Sequence, residues 1–195
     1  MSKNAIVQFI EDNKDLNSLE EILFFGGSFN PWHNGHSSCI KLSPMNKKII
    51  VIPDHNPFKE VIKTTEKTTN IEDIQLKLNT FEQSTYLFNK FYELEQKNPT
   101  SFWVKELKDA FPKLKLSLLM GFDSFASIDK WIDANNLLSN IHSLYVASRE
   151  DNKEIKSEQV KTLKRINPYL EINFLGSHDY ENLSSTKIRS LNSKS

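Results

Sequence analysis

Cysteine is almost absent from this chain of 195 residues, Cys39 being the only one. That excludes an internal disulfide and a metal site built from cysteines alone, and it fits a reducing compartment. Net charge is missing too. Lysine plus arginine and aspartate plus glutamate stand at 25 each, so no global field gathers nucleic acid or an anionic membrane, although a small anionic ligand needs only a local positive site. The uncharged runs are too short to span a bilayer, and the opening MSKNAIVQFIEDNK has neither the basic lead nor the apolar centre of a secretion signal. Low-complexity tracts, internal repeats and splitting linkers are lacking as well. What remains is the expectation of a soluble, cytoplasmic chain with one domain over 1–195, large enough to bury a core and leave a cleft.

Glycine is scarce, yet three of its five occurrences and two of the five histidines fall in residues 26–36, GGSFNPWHNGH. Gly26 and Gly27 follow the apolar block EILFF, where paired glycines let a chain turn sharply and a ligand approach bare backbone. Turn chemistry alone also accounts for such a pair. His33 and His36 stand three apart at the start of a predicted helix, on one face near the positive end of its dipole. Imidazoles beside free helix-start amides suit phosphate oxygens, and Gly35 between them leaves room for a nucleotide. A metal site finds no third and fourth ligand nearby, since His55 follows a different strand. The stretch is not GxGxxG, so hydride transfer from a bound dinucleotide has little support.

Apolar spacing predicts a helix over 4–12, a strand at EILFF, a helix over 34–42 and a strand in KKIIVIP, 47–53, that ends at a proline. Residues 60–70 read as a polar surface loop, 71–83 as an amphipathic helix, and the aromatic-rich 85–93 as a strand with a continued helix as competitor. SFWVKELKDAF predicts a helix stopped by Pro112, and KLKLSLLMG a strand ending in Gly121. A helix near 123–139, a strand at SLYVAS, a basic helix over 153–166, a strand at LEINFLG and a last helix from Ser184 complete the chain. Such alternation predicts an α/β fold, a Rossmann-like doubly wound parallel sheet with helices on both faces. Residues 1–20 stand ahead of it as an extra helix and lead-in, read as cover for a sheet edge. Ligands of these sheets bind at the carboxyl ends of the strands, and five predicted strand ends carry the unusual residues.

Four separated stretches in that set resemble one family. GGSFNPWHNGH resembles the phosphate-binding signature of the HxGH nucleotidyltransferase superfamily, above all that of nicotinate and nicotinamide mononucleotide adenylyltransferases. LSSTKIR at 183–189 is similar to the family's carboxyl-terminal ISSTxIR motif. MGFDSFASIDKW resembles its GxDxxxxxxxW segment, and VIPDHNPFK its strand-ending proline followed by PPxK. Aminoacyl-tRNA synthetases share an HxGH element, but their second, lysine-rich signature is missing here.

The resemblance implies that the 5′-phosphate of a pyridine mononucleotide attacks the α-phosphorus of ATP and pyrophosphate leaves, without a covalent enzyme intermediate. Such chemistry asks for alignment and for positive charge where oxygens gain charge. By resemblance the catalytic residues are His33, His36 and Arg189, with His36 closest to the transferring centre. Gly26, Gly27, Ser28, Phe29, Gly35, Gly121, Asp123 and Arg149 fall on the ATP side, together with Ser184, Ser185 and Thr186. Those three hydroxyl residues begin a predicted helix with Arg189 one turn on, so all four can meet one phosphate; a plain N-cap with a solvated arginine is the structural alternative. Lys59, Trp131 and Ser101 fall on the acceptor side. Asp123 suits a ribose hydroxyl or a helix N-cap, and Trp131 a pyridine ring or the core.

The implied cofactor is Mg²⁺ travelling with the ATP phosphates, held largely by substrate and water. Implied partners are ATP and a pyridine mononucleotide, without nucleic acid or membrane; oligomeric state is left open. Two departures bear on the acceptor. Phe58 replaces the histidine usual before the lysine, and NPTSFWVKEL stands where bacterial nicotinate-type members carry PxYT. The acid or amide choice therefore stays open, with nicotinate mononucleotide slightly preferred. Another phosphorylated acceptor such as phosphopantetheine, or a catalytically silent nucleotide sensor, is the alternative.

Overall fold

The computed structural model describes residues 4–54, 64–93, 98–147 and 153–180. Its strands are β1 Glu21–Gly27, β2 Ile49–Pro53, β3 Thr85–Leu87, β4 Lys115–Gly121, β5 Ser143–Ala147 and β6 Glu171–Phe174. All pair in parallel, in the spatial order 3-2-1-4-5-6. That is the doubly wound Rossmann-like sheet predicted from the alternation. The helices are α1 Ala5–Asp12, α2 Lys14–Asn17, α3 Asn34–Leu42, α4 Thr64–Leu78, α5 Lys90–Glu93, α6 Thr100–Ala110, α7 Phe122–Phe125, α8 Ala134–Asn140 and α9 Lys153–Ile166.

Parallel strands sandwiched by helices bury both faces, which is why these read as continuous apolar blocks. Ile22 and Phe24 join Ile50, Leu118 and Leu144 in a core shared with α1, α6, α8 and α9. Leu23 and Phe25, pointing the other way, join Ile49, Val51 and Leu119 under α3 and α4. At the amino ends of the strands a polar knot ties β1 to its neighbours. The Ser117 hydroxyl donates to Glu21 Oε1 at 2.7 Å, and Lys47 pairs with Oε2 of the same carboxylate. Burial pushes the Glu21 carboxyl up, but the hydrogen bonds from Lys47 and Ser117 outweigh it and hold the group below the usual range. No helix among the described residues is long and apolar enough to cross a membrane.

Several elements differ from the expectation. Helix α4 starts at Thr64, inside the stretch read as a loop, because its anchoring residues Ile74 and Leu78 come late and carry a polar amino-terminal part with them. It also stops at Leu78, short of residue 83, where the Thr80 hydroxyl donates to the Lys77 carbonyl at 2.7 Å. Residues 85–93 divide into β3 and α5, so both competing readings hold in part. The single helix expected near 123–139 is broken into α7, a 3-10 turn over Ile128–Lys130 and α8. Ser127 donates its hydroxyl back to the Asp123 carbonyl at 3.0 Å, and Asp133 takes a φ of 52°, each a local stop that apolar spacing does not register. The helix expected from Ser184 lies outside the described residues.

The extra amino-terminal helix is built into the core. Ile6 and Ile10 of α1, and Leu16 of the following α2, are 0% exposed. The Phe9 ring meets Phe88, just beyond β3, edge-on at 5.3 Å, and the Asn4 side chain hydrogen-bonds Glu106 on α6. Helix α1 thus packs beside α6 in the helical layer, next to the residue that follows edge strand β3.

Candidate active site

Between β1 and β4 the strand order reverses, and ligands of open α/β sheets bind outside the carboxyl ends of the strands at such a crevice. Phe25 pairs with Leu119 across it, so Gly26, Gly27 and Gly121 stand one or two residues farther along the same two strands. A Cβ added at Gly26 or Gly121 would meet nothing within 4 Å, whereas one at Gly27 would come to 3.0 Å of the Phe29 ring. The glycines do not make the turn. Strand pairing continues to Gly27 opposite Pro53, and the left-handed residue is Phe29, at φ 44°. That conformation costs a bulky residue about 1–3 kcal/mol. Burial offsets it: the Phe29 ring packs on Phe25 at 4.9 Å and on Trp32 at 5.1 Å.

Helix α3 then begins with the two histidines capping one another. His33 is the N-cap, and its Nδ1 accepts the Gly35 N–H at 3.2 Å. His36 occupies the third helical position, and its Nδ1 accepts the His33 N–H at 3.3 Å. This is a capping box with imidazoles in both roles. Each Nδ1 being an acceptor, the proton of a neutral ring sits on Nε2. The rings stack at 3.7 Å and 24°. The Gly35 amide, expected to be open to phosphate, is occupied by His33, so the imidazoles replace it as the donors of this helix start.

His36 is surrounded by aromatic rings, with Phe29 at 5.0 Å, Trp32 at 5.3 Å and Phe25 at 6.3 Å. Burial, and secondarily the charge of His33, lowers its pKa from 6.5 to about 3. At neutral pH His36 therefore donates a hydrogen bond without bringing a charge. Trp32 itself is fixed by its indole N–H, which donates to Ser37 Oγ at 2.9 Å. Sequence reasoning passed over Trp32, although its signal was an aromatic residue inside the motif next to His33.

Gly35 is buried, and a Cβ there would meet two His33 ring atoms at 3.0 Å and the Tyr180 carbonyl oxygen at 3.4 Å. The space that a Cβ would need is filled by the protein's own groups. Gly35→Ala should push the His33 ring off its cap and lower kcat/KM by about 10-fold or more while the fold survives, since alanine favours a helix. Gly26→Ala, pointing into open space, should keep the melting temperature within about 2 °C and raise the KM for ATP. Paired melts and steady-state kinetics check both. A Gly26→Ala enzyme with normal ATP kinetics would show that no ligand approaches that backbone.

The other expected residues are spread along the rim. Ser28 is half-buried between β1 and Phe29. Asp123 is exposed in the first turn of α7, and the N-cap role suggested for it falls to Gly121. Trp131 is extended, closes the 3-10 turn and lies half-buried against the main core, not on an amphipathic helix. Ser101 is 1% exposed in the first turn of α6, and its hydroxyl has no hydrogen-bond partner among the described residues. Lys59, Arg149, Ser184, Ser185, Thr186 and Arg189 lie outside the described residues, as do His55 and Phe58. Among the described residues no group of three His, Cys, Asp or Glu could hold a metal ion.

The sequence pattern of the cytidylyltransferase-like family matches residues 24–191. A "Probable nicotinate-nucleotide adenylyltransferase" of Leptospira interrogans is 32% identical over 158 residues, covering 77% of this chain and 75% of that protein. A protein of the same name from Flavobacterium psychrophilum is 31% identical over 165 residues, covering 77% and 80%. Among solved structures, the nicotinic acid mononucleotide adenylyltransferase of Plasmodium falciparum complexed with NaAD shares the fold, with a TM-score of 0.65 at 18% identity over 87% of this chain and 82% of that one. With the crevice, the capped histidine pair and these relatives in agreement, the chain belongs to the cytidylyltransferase-like family, among nucleotidyltransferases whose named relatives are nicotinate-nucleotide adenylyltransferases.

Proposed function

We propose that this chain transfers the adenylyl group of ATP to nicotinate mononucleotide, releasing pyrophosphate and the dinucleotide of NAD synthesis. The observation that carries the reading is the mutually capped histidine pair beside the open backbone of the β1–β4 crevice. Two Nε2–H donors held by the helix itself meet phosphate oxygens without reorganising, which is what a reaction governed by alignment and charge stabilisation requires. Because His36 is neutral, the positive charge comes from other groups, and Arg189, Arg149 and Lys59 are the candidates. Asp123 takes a ribose hydroxyl, and Trp131 takes the pyridine ring with Ser101 on the same side. Mg²⁺ travels with the ATP phosphates, held largely by substrate and water. The chain works as one domain, in the cytoplasm.

Incubation with ATP and either nicotinate or nicotinamide mononucleotide, with dinucleotide and pyrophosphate both measured, tests the reading. Dinucleotide should form, and faster with the nicotinate form. No dinucleotide from either acceptor would overturn it, and adenylylation of phosphopantetheine instead would redirect the acceptor site.

A further inference from the structure

Gln159 lies on α9, outside every motif above, yet its side chain reaches into the segment between β4 and β5. It is 8% exposed. Its Nε2 donates to the Phe125 carbonyl at 2.9 Å and to Asp129 Oδ1 at 2.8 Å. Phe125 closes α7, and Asp129 sits in the 3-10 turn whose next-but-one residue is Trp131. The Trp131 N–H in turn donates to the Ile128 carbonyl at 3.2 Å. One nitrogen thus ties the end of α7 to the 3-10 turn, from partners 34 and 30 residues away in the chain.

The chemistry of the contact is specific. Both partners are acceptors, so the position requires two N–H donors on a single atom, which a primary amide supplies and a carboxylate cannot. The apolar anchors Phe125 and Ile128, both 0% exposed, fix the depth of the segment in the core. A buried, doubly satisfied polar contact adds a directional constraint to that packing. Asp123, by contrast, is carried by α7 directly after β4, upstream of both contacts.

We infer that Gln159 is a positioning residue for the acceptor nucleotide: its double hydrogen bond to Phe125 and Asp129 holds the 3-10 turn in the orientation that presents Trp131 at the rim. The inference rests on the reading that Trp131 faces the pyridine mononucleotide.

Two substitutions of similar volume, Gln159→Met and Gln159→Glu, test it in the full chain, with KM for each substrate, kcat and melting temperature all measured. Gln159→Met should raise the KM for nicotinate mononucleotide about 10-fold and leave that for ATP within about 2-fold. Gln159→Glu, which sets a carboxylate against two acceptors, should be at least as harmful. In a Trp131→Ala background, Gln159→Met should add less than about 2-fold, because both changes then act through one side chain. A lower melting temperature with an unmoved acceptor KM, an equal rise in both KM values, or full additivity with Trp131→Ala would overturn the inference alone. Failure of the unaltered chain to make dinucleotide would instead remove the functional reading, and this one with it.

Discussion

Replacing His36 with alanine should lower kcat for dinucleotide formation by about 10²-fold or more, with ATP binding changed far less. The substitution removes an Nε2–H donor whose direction is set by its own Nδ1, which holds the His33 N–H at 3.3 Å. It also unseats His33, stacked 3.7 Å away. Glutamine serves naturally at the third position of a capping box and keeps an amide donor, so His36→Gln should fall between alanine and the parent. A silent sensor predicts the opposite: ATP binding without turnover and no response to His36→Ala.

The same burial makes a pH prediction with a definite sign. In the unfolded chain His36 takes a proton near 6.5, whereas folded it resists until about 3. Over that window the unfolded state binds the extra proton, so this residue lowers stability as pH falls from 6.5 toward 3. It imposes no penalty above 6.5. His36→Gln should flatten that part of the stability–pH curve, and NMR of the imidazole ring should show no His36 titration step near 6.5. A normal step there would mean that the aromatic ring cluster does not exclude water.

The second large effect is on stability. Ile10→Ala should cost about 2–5 kcal/mol, since Ile10 is 0% exposed and packed in the main core. For a chain of this size that lowers the melting temperature by roughly 5–15 °C. With Leu16→Ala added, the loss approaches the whole stability of a typical domain, about 5–15 kcal/mol. Gln8 on α1 is exposed, and Gln8→Ala should stay within about 0.5 kcal/mol. Thermal and urea melts measure all three. Helix α1 would be dispensable packing if Ile10→Ala melted within about 1 °C of the parent.

What the sequence made legible follows from how each feature is held. The strands β1, β2, β4 and β5 bury both faces, so their apolar runs announce them, and α3 spans the predicted residues 34–42. The start of α4 was hidden because it depends on Ile74 and Leu78 farther along, and the break after α7 because it depends on a serine back-bond and one residue at positive φ. At the site, the histidine spacing is visible in one dimension. The consequence that both Nδ1 atoms are occupied is not, nor is the left-handed Phe29 beside two glycines that stay in the strand. Gln159 left no trace, because its partners lie in another helix–strand unit.

The seat of α1 also sets a schedule for synthesis. Its contact with Glu106 spans 102 residues of chain. At about 5–20 residues per second, the partner surface on α6 leaves the ribosome roughly 5–20 s after the helix that needs it. A segment of 8 residues does not hold a helix in water unaided. Ile6, Val7 and Ile10 therefore emerge as an uncovered apolar cluster, a natural handle for a chaperone, and α1 docks no earlier than α6.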